Sequence, residues 1–183
     1  MLDEAELVKE ARRGNEAAFV TLYNRYRTPL FRFAWRMTGS IAAAEDVTQE
    51  CFLALARGPA FDGSRGSLQA YLFGMARHLV FRQLRISGRE DEEPAEATGP
   101  LDLLDDVLAA ERSKFVQRAV ASLPALQREA IVLFEYEELP LTDIATIAGV
   151  EVGAIKARLA RARESLRKRL EPLLFPDIER RCS

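Results

Sequence analysis

Apolar side chains recur at three- and four-residue intervals along almost the whole chain, and no strand-type alternation of useful length interrupts them. Leu7 and Ala11 begin a short amphipathic helix, which Gly14 and Asn15 separate from a longer one. The inward set of that second helix is Ala18, Phe19, Leu22, Tyr23 and Tyr26, continued by Leu30, Phe33, Ala34 and Met37. Pro29 falls inside the pattern and is expected to kink or restart it, because proline lacks an N–H and crowds the carbonyl four residues back. Gly39 ends this helix and Ser40 caps the next, over about 41–57, with Ala44, Val47, Cys51, Phe52 and Leu55 as its apolar face. Gly58 and Pro59 stop it, and a loop over 60–66 comes next. Ser67 then caps a helix over about 68–86, whose inward set is Leu68, Leu72, Met75, Ala76, Leu79 and Leu84.

The helical pattern breaks at residues 88–100, which hold Gly88, the acidic run 90–93, Pro94, Gly99 and Pro100. Few apolar residues and repelling like charges predict a flexible linker and a domain boundary. Beyond it one helix is expected to run from near Leu103 to about Ser122. Pro124 opens another, carrying Leu126, Ala130, Ile131, Leu133 and Phe134, and Pro140 ends it. Two shorter elements complete the pattern, over 141–148 and 152–170. The expectation is an all-α fold: two small helical domains, 1–87 and 103–172, joined by a flexible acidic linker, 88–102, with a tail over 173–183.

Charge changes this picture. The 183 residues carry 26 basic and 28 acidic side chains, so net charge is only −2. Residues 1–85 hold 12 basic and 9 acidic groups, residues 86–110 hold 1 and 8, and residues 111–183 hold 13 and 11. Two mildly basic blocks thus flank an acidic middle. Residues 156–169 alone hold seven basic groups against one acid, Glu164. Local positive charge of this kind is what phosphate neutralisation and counterion release require, although a solvated helix face is the alternative reading.

Other classes are excluded or unsupported. The longest strictly aliphatic or aromatic run is 131–134, far short of the roughly 18 residues of a membrane span. The start of the chain is acidic, with no secretory pattern. Two cysteines, Cys51 and Cys182, and one histidine, His78, make neither a zinc cluster nor a disulfide framework, and fit a cytoplasmic protein. Cys51 reads as a small core residue. No glycine-rich phosphate loop accompanies them. No catalysis, cofactor or metal is therefore expected.

Residues 141–163 have the spacing of a helix-turn-helix. Ala145 is small where two helices cross, and Gly149 lies four residues later, where the turn needs a left-handed residue. Ile155 lies six later still as a plug between the helices, with Ile144, Ala148, Val150 and Leu159 completing the buried set. If Ile155 and Leu159 face inward, Ala154, Lys156, Ala157, Ala160 and Arg161 lie on the face that enters the major groove. Arg161 then suits a guanine edge, and Arg158 and Arg163 suit phosphates.

In this order, four segments resemble the extracytoplasmic-function (ECF) group of bacterial sigma factors: RRGNEAAFVTLYNRYRTPLFRFAWRMTG (12–39), AEDVTQECF (44–52), FDGSRGSLQAYLFGMARHLVFRQLR (61–85) and residues 123–170. The resemblance implies a promoter-directing initiation factor whose partners are core RNA polymerase, promoter DNA and an anti-sigma factor, and which is monomeric without them. It implies that Asp46, Gln49 and Glu50 dock on polymerase. It implies that the −10 segment opens the duplex, with the loop Asp62, Ser64, Arg65, Ser67 near a captured base. Tyr71 stands where the family usually has tryptophan, and Arg77, Arg82 and Arg85 would hold the backbone.

Departures from the family pattern bear on specificity. His78 stands where asparagine is common, Arg82 where aspartate is usual, and Ala154 and Ala157 where hydroxyl residues are common. The two alanines cannot donate hydrogen bonds, which leaves fewer base contacts and a place for thymine-methyl packing. Two rival readings fit part of the chain. An operator-binding helix-turn-helix regulator explains 141–163 but not AEDVTQECF, and a sigma-like decoy for an anti-sigma factor does not need the basic residues of 156–169.

Overall fold

The computed structural model describes residues 3–58, 61–88 and 107–174. Every regular element among them is helical: α1 (Glu4–Arg12), α2 (Glu16–Thr38), α3 (Ile41–Arg57), a 3-10 turn (Gly63–Arg65), α4 (Leu68–Ile86), α5 (Val107–Ala121), α6 (Ala125–Ile131), a π-helical turn (Val132–Tyr136), α7 (Leu141–Ala148) and α8 (Val152–Leu174). The all-α expectation holds. The acidic linker lies almost wholly, and the tail largely, outside the described residues.

The starts agree closely with the sequence. Asn15 Oδ1 accepts from the Ala18 N–H at 3.2 Å, Ser40 Oγ from Ala43 at 3.2 Å and Ser67 Oγ from Ala70 at 3.1 Å, so each satisfies an orphan donor of its helix. Gly39 and Gly149 end α2 and α7 in the left-handed region, at φ 68° and 66°.

Pro29 does not restart the second helix: α2 runs through it as one element of 23 residues. The buried face of Leu22, Tyr26, Leu30, Phe33 and Met37 lies on both sides of the proline. Packing of that face outweighs one missing backbone hydrogen bond. In α4 the buried set includes Phe73 and Val80 beside the expected Leu68, Leu72, Ala76 and Leu84, while Met75 and Leu79 are only half-buried.

The register of α6 also departs from the periodic reading. Leu126 is 43% exposed, whereas the charged pair Arg128 and Glu129 is buried. Arg128 explains the preference: its guanidinium donates to the Met37 carbonyl at 2.7 Å and the Leu123 carbonyl at 2.9 Å. Its burial pulls the guanidinium down to about 10. The π-helical turn, with the Glu137 N–H donating to the Val132 carbonyl at 3.1 Å, inserts an extra residue and leaves Phe134 only partly covered.

The two sets of helices pack on each other, α2 and α4 of the first against α5, α6, the π-helical turn and α7 of the second. Polar contacts cross that boundary. Arg128 reaches Met37, Arg77 donates to Glu129, and Arg32 and Arg36 face Glu137 at 3.4 and 3.9 Å. Arg36 also lies over the Tyr136 ring, 4.2 Å from its centroid.

Candidate functional site

Three surfaces gather the residues singled out in the sequence. On α3, Val47, Cys51 and Phe52 are buried, and Asp46, Gln49 and Glu50 stand exposed on the opposite side. Burial pushes the Cys51 thiol up to about 12, so it stays protonated as part of the core. The three exposed residues line a polar cleft of about 350 Å³ with Leu79, Arg82 and Gln83 of α4. Arg82, expected on DNA, thus shares a cleft with the acidic face of α3.

Apolar neighbours of this face escaped the sequence reading. Leu53 is 38% exposed beside the polar trio. Around the helix, Phe19, Tyr23 and Phe31 of α2 and Phe52 of α3 line a groove of about 660 Å³, in which the Tyr23 and Phe52 rings lie 4.9 Å apart. The signal was present as an aromatic excess on the inward set of α2, more than one core face can bury.

The second surface surrounds the loop before α4. Asp62 Oδ1 accepts from the Ser64 N–H at 3.0 Å and its hydroxyl at 2.7 Å, which shapes the 3-10 turn that contains Arg65. Tyr71 is half-buried with its ring 5.5 Å from that of Phe61. Asp62, Ser67, Tyr71 and His78 meet in one cleft of about 670 Å³. Thr146 and Ile147 of α7 form part of its wall, and Ser67 Oγ sits 3.5 Å from Asp143 Oδ2. His78, Arg82 and Arg85 are exposed, but Arg77 turns inward: it lies over the Phe81 ring, 4.7 Å from the centroid, and donates to Glu129.

The third surface is the start of α8. Ile155 and Leu159 are buried, as the helix-turn-helix spacing requires, with Ala162 beside them. Lys156, Ala157, Ala160 and Arg161 are exposed and Ala154 is half-buried. Two arginines expected to face phosphates also have partners within the protein. Arg158 is only 17% exposed and faces Glu129 at 3.5 Å. Arg163 pairs with Glu135 at 2.7 Å and lies 5.4 Å from the Phe134 ring centroid.

Among the described residues, Glu129 and Glu137 are the buried carboxylates. Burial raises the Glu129 carboxyl above its ordinary range, partly countered by Arg77 and Arg158. Burial likewise raises Glu137, countered by Arg32 and Arg36. Among the described residues no group of three or more His, Cys, Asp or Glu is arranged to hold a metal, and no helix is long and apolar enough to cross a membrane.

An all-helical chain with a polar-faced helix, an aromatic loop cleft and a helix-turn-helix ending in an exposed basic helix has the build of a helical DNA-binding protein. The description of sigma-70 region 2 matches residues 22–90, and that of sigma-70 region 4 matches 116–166. The ECF RNA polymerase sigma factor SigW of Bacillus subtilis is 30% identical over 180 residues, covering 91% of this chain and 96% of the relative. The RNA polymerase sigma-H factor of Pseudomonas aeruginosa is 32% identical over 186 residues, covering 93% and 95%. The chain belongs to the ECF RNA polymerase sigma factors. Among solved structures, the sigma factor RpoE in complex with the anti-sigma factor NepR from Bartonella quintana is similar, with a TM-score of 0.69, 29% identity and coverage of 84% of this chain and 96% of that one. CnrH, in complex with the cytosolic domain of CnrY, shares the fold at a TM-score of 0.69 and 24% identity, over 96% and 99% of the two chains.

Proposed function

We propose that this chain binds core RNA polymerase through Asp46, Gln49 and Glu50, opens the −10 element with residues 61–85, and docks on the −35 element with α8. The observation that carries this reading is the co-occurrence of both sigma regions on one chain with an exposed polar trio on α3. A lone operator-binding regulator leaves the region 2 match without a role. The exposed Lys156 and Arg161 favour DNA contact over a decoy that needs none.

Each surface has chemistry suited to its task. The polar trio beside exposed Leu53 offers an apolar centre with a charged rim, as protein interfaces do. Tyr71 and Phe61 offer rings on which an unstacked base can lie, His78 lines the same cleft with a donor, and the exposed Arg82 and Arg85 further along α4 add positive charge. Arg161 suits a guanine edge and Ala157 a thymine methyl. The chain performs no bond chemistry of its own: polymerase supplies it, and this protein stabilises the opened promoter relative to the closed duplex. It acts in the cytoplasm and is held by an anti-sigma factor until released, a reading supported by its likeness to RpoE in complex with NepR.

A triple substitution, D46A/Q49A/E50A, tests the polymerase face. Binding to purified core polymerase is expected to weaken by about tenfold or more, equivalent to about 1.4 kcal/mol, with helicity and melting temperature retained because all three side chains are exposed. Unchanged affinity rejects the assignment.

A further inference from the structure

We infer, on the strand-opening role proposed above for residues 61–85, that Gly74 is the floor of a base pocket: by carrying no side chain it leaves room between Tyr71 and His78 for one unstacked base.

Gly74 lies in the middle of α4, a continuous helix over Leu68–Ile86. Glycine is a poor choice there, since it loses more backbone freedom on folding than alanine does. Nothing within the fold calls for it. Its backbone is not left-handed, as those of Gly39 and Gly149 are. No other element crosses close by: a Cβ built on Gly74 meets no atom of the described residues within 4 Å, side chains one turn away included. An alanine would therefore fit and favour the helix. What remains is a group from outside the chain that comes close to the backbone at this point.

The surroundings fit a nucleobase. Side chains three and four residues apart share one face of a helix. Tyr71, Gly74, His78, Arg82 and Arg85 follow that spacing and form a single stripe along α4. The first three line the cleft of about 670 Å³. Tyr71 has the Phe61 ring 5.5 Å away, so aromatic surface stands one turn before Gly74 and an exposed imidazole one turn after it. Flat apolar faces stack on a base of any kind, and the imidazole can hydrogen-bond its edge. Further along the stripe, the exposed guanidiniums of Arg82 and Arg85 offer the attraction that a phosphate backbone needs. A neutral aromatic metabolite would leave that charge unused, and a base inside a duplex is stacked and cannot enter the cleft. A single strand uses the whole stripe.

Two substitutions in the full chain test this, and they separate fold from function by sign. Gly74→Ala is expected to raise the melting temperature by roughly 2–4 °C, because glycine in a helix interior is the weaker helix former. Gly74→Leu fills the pocket. The probes are short single strands of adenine, cytosine or thymine nucleotides, and an abasic strand of the same length and phosphate count. The parent is expected to hold at least one base-bearing strand about tenfold more tightly than the abasic strand. In Gly74→Leu that preference is expected to vanish while abasic affinity stays, since Arg82 and Arg85 are untouched. Gly74→Ala is expected to keep only part of it.

A preference that survives in Gly74→Leu overturns the pocket floor, and so does an equal loss for all strands, abasic included. If Gly74→Leu melts below the parent, Gly74→Ala decides: a stabilised protein with undiminished preference overturns the inference. A parent that holds base-bearing and abasic strands alike rejects the strand-opening role and the pocket together, whereas loss of the pocket alone leaves the parent's preference in place.

Discussion

Glu129 and Glu137 each add a pH dependence of one sign to the stability of the fold. Both carboxyls are raised above their ordinary range, burial outweighing their arginine partners. Between the ordinary and the raised value the folded chain holds protons that the unfolded chain has released. Stability from these groups is therefore greatest at acid pH and falls as pH rises through that window. Replacing both by glutamine removes the effect, so the loss of melting temperature from mildly acid to neutral pH is expected to be smaller in E129Q/E137Q than in the parent. Parallel profiles would show that the two carboxyls titrate normally. Neither residue was legible in the sequence. Periodicity assigns Leu126 to the core of α6, and nothing local announces that Arg128 has carbonyls waiting at Met37 and Leu123. A buried charge is recognisable only once its partners, from distant parts of the chain, are in place. Cys51 was legible, because an apolar face of known register surrounds it.

At the scale of elements, the helix-turn-helix depends on the turn after α7. Gly149 has φ 66°, and a Cβ placed there meets no atom within 4 Å. The penalty for a side chain is thus backbone conformation rather than collision. Gly149→Ala is expected to cost about 1–2 kcal/mol, and Gly149→Asn less, because asparagine visits the left-handed region more readily. Thermal melting should rank the three proteins glycine, asparagine, alanine; equal stability of alanine and glycine would contradict this. The turn, the caps at Ser40 and Ser67 and the buried faces of α3 and α7 were readable because each is a local rule. The persistence of α2 through Pro29 was not, since it depends on Leu22, Tyr26, Phe33 and Met37 finding partners on other helices. The π-helical turn after α6 was hidden for the same reason: one extra residue leaves the apolar composition unchanged while rotating every later side chain about the helix axis.

At the scale of the molecule, the order of segments carried the family and the exposed residues of α3 and α8, because both faces lie opposite an unambiguous core. The inward turn of Arg77 and Arg158 was not legible, since it requires the second set of helices to pack on the first. Under the proposed function, specificity for a promoter comes from two modest DNA surfaces that act together once polymerase holds them at a fixed spacing. Transcription by core RNA polymerase stripped of its own sigma, mixed with this protein and fragmented genomic DNA, tests the claim most directly. Sequencing of RNA 5′ ends should find discrete starts, each preceded by one shared two-part motif, and Arg161→Ala should depress those starts through the upstream part of the motif. Transcripts no more localised than those of core enzyme alone, from folded protein free of inhibitor, would contradict the account.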